Sequence, residues 1–282
     1  MGTERAGAAG RRKALITGGG GGVAAELAPR LENHGYEIIL ADIDEARMAA
    51  TAARLRQKTV TLRADLGTSE GIAALVRTIE TEFDDLALLV NNAGFVEPGD
   101  ADRLAPDILD RHIMVNLLAP MQLTAAAARV MRPHGQGTIL SIVSMGAIVA
   151  LRGSAAYAAS KFGLRGFLTS VHSELAPHGI RVCGVFPSGI DTPMLHYEAT
   201  HDGSPLNFVG RVLSAAEVAD ACMRAIETGK LETYIPYADS ITARIANAFP
   251  WILKPLLPHF EKAGEKGRAK YIAERGLHSA GK

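Results

Sequence analysis

Tyr157 and Lys161 are the side chains whose types and spacing offer chemistry. Four positions apart, they project from one face if the chain around them is helical. A phenol ordinarily titrates near ~10 and is a weak base at neutral pH, but an ammonium within ~4–6 Å favours its phenolate. Such a pair exchanges a proton with a substrate oxygen, which is general acid–base chemistry. In isolation the same spacing also describes a half-buried tyrosine and a surface lysine on an ordinary helix. The surrounding elements must decide between the two.

A second constellation lies near the N-terminus, where KALITGGGGGVAAELAPRL predicts a strand, a run from Gly18 to Gly22, and a helix from about Val23. Glycines in such a turn let backbone amides approach a pyrophosphate, and the helix N-terminus adds partial positive charge. Gly19-x-Gly21-x-x-Ala24 and Gly20-x-Gly22-x-x-Ala25 both fit a dinucleotide spacing, so the register stays open. Asp42 ends the following strand, EIILAD. A carboxylate there accepts hydrogen bonds from the ribose hydroxyls of NAD and repels the 2′-phosphate of NADP. No arginine lies within the turn or directly after Asp42. NAD is therefore the expected cofactor.

The elements that must position these groups follow from hydrophobic patterning. Strands are expected over Lys13–Thr17, Glu37–Ala41, Thr59–Leu62, Leu86–Asn91, Gly137–Val143, Ile180–Phe186 and Glu232–Ile235. Several are unbroken apolar runs, as in strands buried on both faces of a parallel sheet. Between them lie crossover helices such as Val23–His34, Ile72–Phe83 and Ala119–Met131. The alternation implies an α/β fold, a doubly wound parallel sheet of seven strands with helices on both faces. Residues 1–12 read as a flexible tail and 13–282 as one domain. Within it, 192–215 form a long loop of the kind that covers ligands, and 238–282 a helical extension. Pro250, Pro255 and Pro258 should interrupt any continuous helix there.

Composition excludes several classes. Thirty Lys+Arg against thirty Asp+Glu leave no net charge, hence no electrostatic footprint for nucleic acid. Cys183 and Cys222 cannot build a disulfide framework. The nine histidines, His196 and His201 of the long loop included, show no metal-ligand spacing, so no metal is expected. The first dozen residues lack an apolar signal core, and no apolar stretch approaches the ~18 residues a bilayer requires. The expected location is the cytoplasm.

In order along residues 12–236, the chain resembles the short-chain dehydrogenase/reductase family. Thr17-Gly18-x-x-x-Gly22-x-Ala24 is similar to its TGxxxGxG turn, with Ala24 for the third glycine. Asp65-Leu66 resembles an acidic pair that touches adenine, and Asn91-Asn92-Ala93-Gly94 the NNAG strand end. Asn116 falls on a helical asparagine, Ser144 closes a strand, and Tyr157 with Lys161 forms the YxxxK motif thirteen positions later. Pro187-Ser188-Gly189-Ile190-Asp191-Thr192 resembles PGxxxT, with Ser188 for a glycine.

The resemblance implies a Rossmann-type NAD-dependent oxidoreductase acting on an alcohol or carbonyl. Asn116, Ser144, Tyr157 and Lys161 would be catalytic. Ser144 would hold the reacting oxygen, Lys161 would also bind the nicotinamide ribose, and Asn116 would support a water-linked proton relay. Gly18, Gly22, Val23, Asp42, Asp65, Leu66, Asn92, Ala93, Gly94, Pro187, Gly189, Ile190 and Thr192 would bind the cofactor together with Tyr157 and Lys161. An NADPH-dependent ketoacyl-type reductase and a non-catalytic dinucleotide-binding protein are the alternatives.

Substrate contacts are expected from 145–153 and 192–215, notably Met145, Leu151, Met194 and Leu195. Their apolar character points to a lipophilic secondary alcohol or its ketone, of sterol, terpene or acyl-chain type. The extension, apolar and then basic, is expected to roof the pocket or pack on another subunit of a homodimer or homotetramer rather than contact a membrane.

Overall fold

The aliphatic runs form parallel strands in the computed structural model, which describes residues 12–150 and 152–277 (at 250, 252–254 and 256 the backbone alone). They are β1 (Arg12–Thr17), β2 (Tyr36–Asp42), β3 (Val60–Arg63), β4 (Leu86–Asn91), β5 (Gly137–Ile142), β6 (Ile180–Pro187) and β7 (Glu232–Ile235). Their spatial order is β3-β2-β1-β4-β5-β6-β7. Strand ends agree with the sequence expectation to within a residue. β1 already begins at Arg12, one residue inside the expected tail, whose other residues lie outside the described ones.

Connecting helices are α1 (Gly22–Asn33), α2 (Glu45–Ala52), α3 (Ser69–Glu82), α4 (Pro106–Ile113), α5 (Ala119–Met131), α6 (Ala155–Leu175), α7 (Pro193–Thr200), α8 (Ala215–Thr228), α9 (Tyr237–Ala248) and α10 (Pro250–Arg275). Strand alternation sends β1 side chains to two separate cores. Ala14 and Ile16 join Leu27 of α1 and Val218 and Cys222 of α8. Leu15 joins Ile72 of α3, Leu123 of α5 and Leu168 of α6. Each large aliphatic group so buried stabilises the fold by roughly 1.5–3 kcal/mol. The strand order reverses between β1 and β4, and the crevice beyond their carboxyl ends is where open α/β sheets bind ligands.

Three expectations change. The stretch 192–215 is not a plain loop, because Pro193 opens α7 and Pro205–Phe208 form a 3-10 turn. α10 continues through Pro255 and Pro258, both on its exposed side, although each removes an interior hydrogen bond. Packing further along holds it: a Cβ on Gly264 or Gly267 would sit 2.1 Å from the carbonyl oxygen of Pro205 or Phe208. Finally, 106–134 is a helix long and apolar enough to cross a membrane by length and composition alone. Half of its apolar window is packed inside the fold, against α3 and α6.

Candidate active site

The glycine run becomes a cradle because its backbone leaves no room for side chains. Gly18 has φ +64°, and a Cβ there would meet the Ala93 Cα at 2.8 Å. The Gly21 N–H donates to the Gly18 carbonyl at 2.9 Å, closing the turn. α1 then starts at Gly22 without any side-chain cap, so its first N–H groups point onward unpaired by a cap. The open register is resolved: Gly18 takes the left-handed turn position and Gly22 the first helical one.

Neighbouring side chains hold this turn in place. Thr17 Oγ1 accepts from the N–H groups of Asn92 and Ala93, each at 3.1 Å. Asn92 Nδ2 donates to the carbonyls of Thr17 and Gly18 at 2.9 Å. Asp42 Oδ2 accepts from Gly20 N–H at 2.8 Å and its Oδ1 from Asp44 N–H at 2.9 Å.

A cleft of about 1000 Å³ runs from this turn to the ends of β4, β5 and β6. Of the expected residues, Gly18, Gly22, Val23, Asp42, Asn92, Ala93, Gly94, Ser144, Met145, Tyr157, Lys161, Pro187, Gly189, Ile190, Thr192, Met194 and Leu195 line it. Asp65 and Leu66 do not: the Asp65 carboxylate accepts from Gly67 N–H at 2.9 Å, and Leu66 is buried in the core. Leu151 lies outside the described residues.

Asn116 is also absent from the wall. It sits in a π-turn, Met114–Leu118, between α4 and α5. Its amide exchanges two 2.8 Å hydrogen bonds with the Phe95 backbone and donates to Ser160 Oγ at 3.2 Å. The side chain therefore clamps the β4 exit to α6, the helix that carries Tyr157 and Lys161.

At the sheet end, Ser144 Oγ accepts from Gly146 N–H at 2.9 Å and hydrogen-bonds the Tyr157 hydroxyl. Lys161, 4% exposed, donates from Nζ to the Ile142 carbonyl at 3.2 Å. Nζ lies 5.8 Å from the centre of the Tyr157 ring. The expected lowering of the phenol is not found. Burial pushes Tyr157 up to about 12, outweighing the Ser144 hydrogen bond, and the charge of Glu198 acts in the same direction as burial. Burial likewise pulls Lys161 down to about 8. Desolvation disfavours the charged form of each, moving the two groups in opposite directions.

Sequence reasoning missed four contributors. Arg47 of α2 lines the cleft beside Asp42, five residues after it, with Gly20 packed on its Cβ. Glu198 enters from α7, whose helical character was not anticipated. Leu257 and Phe260 of α10 close the apolar end, so part of the extension does roof the pocket. Ile241, Ile245, Phe249 and Trp251 of the same extension stay exposed. Asp191 anchors that roof, accepting from Tyr271 at 2.6 Å, His196 at 2.9 Å and Arg275 at 2.5 Å.

This geometry fits a nicotinamide dinucleotide: a side-chain-free cradle at an uncapped helix N-terminus, a carboxylate at the end of β2, and a buried Ser188 Oγ in the cleft that no hydrogen bond reaches among the described residues. Residues 12–203, more than half of the chain, match the family model for short chain dehydrogenase. The chain belongs to the short-chain dehydrogenase/reductase family. It is thus an oxidoreductase of a family that binds nicotinamide dinucleotides and acts on CH–OH groups.

Within that family the chain is 35% identical over 184 residues to momilactone A synthase of Oryza sativa subsp. japonica, covering 64% of this chain and 67% of the relative. It is 30% identical over 227 residues to (+)-borneol dehydrogenase 1 of Salvia officinalis, covering 79% and 85%. A solved short-chain dehydrogenase from Sphingobium yanoikuyae in complex with NADPH superposes with a TM-score of 0.74 at 26% identity, covering 86% of this chain and 96% of that one.

Proposed function

We propose that the protein is an NAD(H)-dependent oxidoreductase that interconverts a lipophilic secondary alcohol and its ketone, with Tyr157 as general acid and base. The convergence of Ser144, Tyr157 and Lys161 on one cleft, whose far end is the glycine cradle, carries this reading. The substrate end is walled by Met145, Val149, Met194, Leu195, Leu206, Leu257 and Phe260, which supports an apolar substrate. Similarity to a borneol dehydrogenase agrees with it, since borneol is a bicyclic secondary alcohol.

Gly18, Gly22 and Val23 would hold the pyrophosphate, Asp42 the adenine ribose, and Pro187 to Thr192 the nicotinamide side. The bound dinucleotide supplies the hydride donor or acceptor. The protein's own part concerns the oxygen and its proton. Ser144 donates a hydrogen bond to the reacting oxygen and stabilises alkoxide character on it. In reduction the Tyr157 phenol donates its Oη proton to the carbonyl oxygen and becomes phenolate; in oxidation the phenolate takes the hydroxyl proton and becomes phenol. Lys161, pulled down only to about 8 by burial and so still an ammonium at neutral pH, offsets the charge of the Tyr157 phenolate.

A second reading, NADPH-dependent ketone reduction, is favoured by Arg47 in the cleft beside Asp42. Against it, Arg47 pairs with Asp44 at 3.3 Å, and the Asp42 carboxylate faces the same space. Fluorescence titration with NADH and NADPH at equal ionic strength separates the two. Tighter NADH binding supports the first reading, whereas tighter NADPH binding makes Arg47 the decisive residue and overturns it.

A further inference from the structure

Glu198 lines the cleft from the last turn of α7, a helix that sequence patterning did not anticipate. Other acidic groups of the lining lie elsewhere: Asp42 and Asp44 beside the glycine cradle, and Asp239 on the exposed rim. Glu198 Oε1 accepts from Asn207 Nδ2 at 3.0 Å. Among the described residues nothing hydrogen-bonds its other carboxyl oxygen, and no cation pairs with it. It lines the same cleft as Ser144 and Tyr157, and its charge raises Tyr157.

The surroundings hold this carboxyl in place. Gly203 N–H donates to the Glu198 carbonyl at 2.8 Å, and a Cβ on Gly203 would lie 2.6 Å from the Glu198 Cβ. Asn207 is fixed in turn, since its carbonyl oxygen lies 2.6 Å from where a Gly189 Cβ would be. The neighbouring Pro205 carries the close approach of α10. A carboxyl with one oxygen tied and the other open to a cleft is preorganised to receive a donor.

We propose that Glu198 is a specificity-determining residue that accepts a hydrogen bond from a hydroxyl group carried by the substrate away from the reacting carbon. A substrate filling the apolar end excludes water from the open oxygen. One without a donor leaves that oxygen desolvated and unpaired, and sites built this way discriminate strongly against the analogue lacking the group. A hydroxyl suits Glu198 better than an ammonium. Burial pushes the carboxyl up to about 7, and a hydroxyl donates to its neutral and ionised forms alike, while an ammonium gains only from the ion.

The preferred substrate is then a hydroxylated lipophilic alcohol or ketone, an inference that rests on the proposed reaction at Tyr157. The test compares camphor with a panel of its monohydroxylated isomers. Reduction is measured in the intact wild-type chain, in Glu198→Gln and in Glu198→Leu, with NADH and NADPH both supplied. At least one isomer should exceed the parent in kcat/KM by ten-fold or more in the wild type. Glu198→Leu should erase that preference, lowering kcat/KM for the favoured isomer at least ten-fold more than for the parent, and Glu198→Gln should retain part of it. No preferred isomer in the wild type, or an equal loss for all ketones in Glu198→Leu, overturns the proposal. If no ketone turns over with either dinucleotide, the proposed reaction fails, and calorimetric binding of the same ketones still decides the role of Glu198. Tighter binding of a hydroxylated isomer to wild type but not to Glu198→Leu upholds it, and indifferent or undetectable binding rejects it.

Discussion

The Asp42 carboxylate accepts the Gly20 N–H at 2.8 Å, so the residue that ends β2 also fixes the glycine turn beside it. Its other oxygen accepts from Asp44 N–H at 2.9 Å, the entry to α2. Asp42 thus joins three segments before any ribose arrives. Replacing it with Ala should weaken NADH binding at least ten-fold. It should also lower stability by about 1–3 kcal/mol, because two backbone donors lose a charged acceptor. Thermal unfolding and fluorescence titration check both. An unchanged affinity would remove Asp42 from ribose recognition.

Gly18 tolerates no side chain. Its φ of +64° is a left-handed conformation, and a Cβ would press on the Ala93 backbone at 2.8 Å. Gly18→Ala should cost about 1–3 kcal/mol in backbone strain alone and displace the turn that receives the pyrophosphate. Urea unfolding should show an earlier midpoint, accompanied by loss of NADH binding. A variant as stable as the wild type would contradict the packing described.

Catalysis should separate from binding at the sheet end. Tyr157→Phe should lower turnover by about 10²–10⁴-fold and Ser144→Ala by about 10²–10³-fold, with NADH affinity within a few-fold of wild type. Burial pushes Tyr157 up to about 12. The 295 nm absorbance of wild type minus Tyr157→Phe should therefore stay flat to about pH 9, just below the ordinary phenol range. Earlier ionisation would mean that the Lys161 charge outweighs burial.

Glu198 links stability to pH. Its carboxyl is pushed up from 4.5 to about 7 by burial, so between these values the folded chain holds a proton that the unfolded chain releases. Stability from this group is fully present below the unfolded value and declines as pH rises towards and through the folded one. Glu198→Gln cannot titrate. Urea unfolding at pH 5 and pH 8 should show the variant gaining on wild type at the higher pH. A constant difference between the two would place the carboxyl in water.

Asp191 behaves oppositely. The Arg275 guanidinium beside it holds its carboxyl well below the usual carboxylate range, with Tyr271 and His196 contributing through hydrogen bonds. That stabilisation is present above the ordinary carboxylate pKa and is lost as pH falls through the depressed value. Arg275→Ala should detach the end of α10 from the 187–192 segment and loosen the roof formed by Leu257 and Phe260. KM for an apolar ketone should rise several-fold with little change in kcat, and Tm should fall by about 2–4 °C, a loss of roughly 1 kcal/mol. Unaltered KM would show that α10 does not shape the substrate end.

Local patterns settled much of this protein in advance. Unbroken aliphatic runs demand strands covered on both faces, so the parallel sheet follows from composition along the chain. The glycine run, Asp42, Ser144 and the Tyr157–Lys161 spacing are likewise local, and the fold brings them together because each sits at the end of a strand or on the adjoining helix. The tertiary structure decided whatever depends on distant packing. Asp65, bonded to the Gly67 N–H, and Leu66, packed in the core, are not among the residues that line the cleft. α10 runs through two prolines because Gly264 and Gly267 seat it on Pro205 and Phe208. Arg47 and Glu198 reach the cleft from helices whose placement no spacing reveals. The direction of the Tyr157 shift belongs to the same class. Burial, which a linear spacing cannot express, outweighs the Ser144 hydrogen bond.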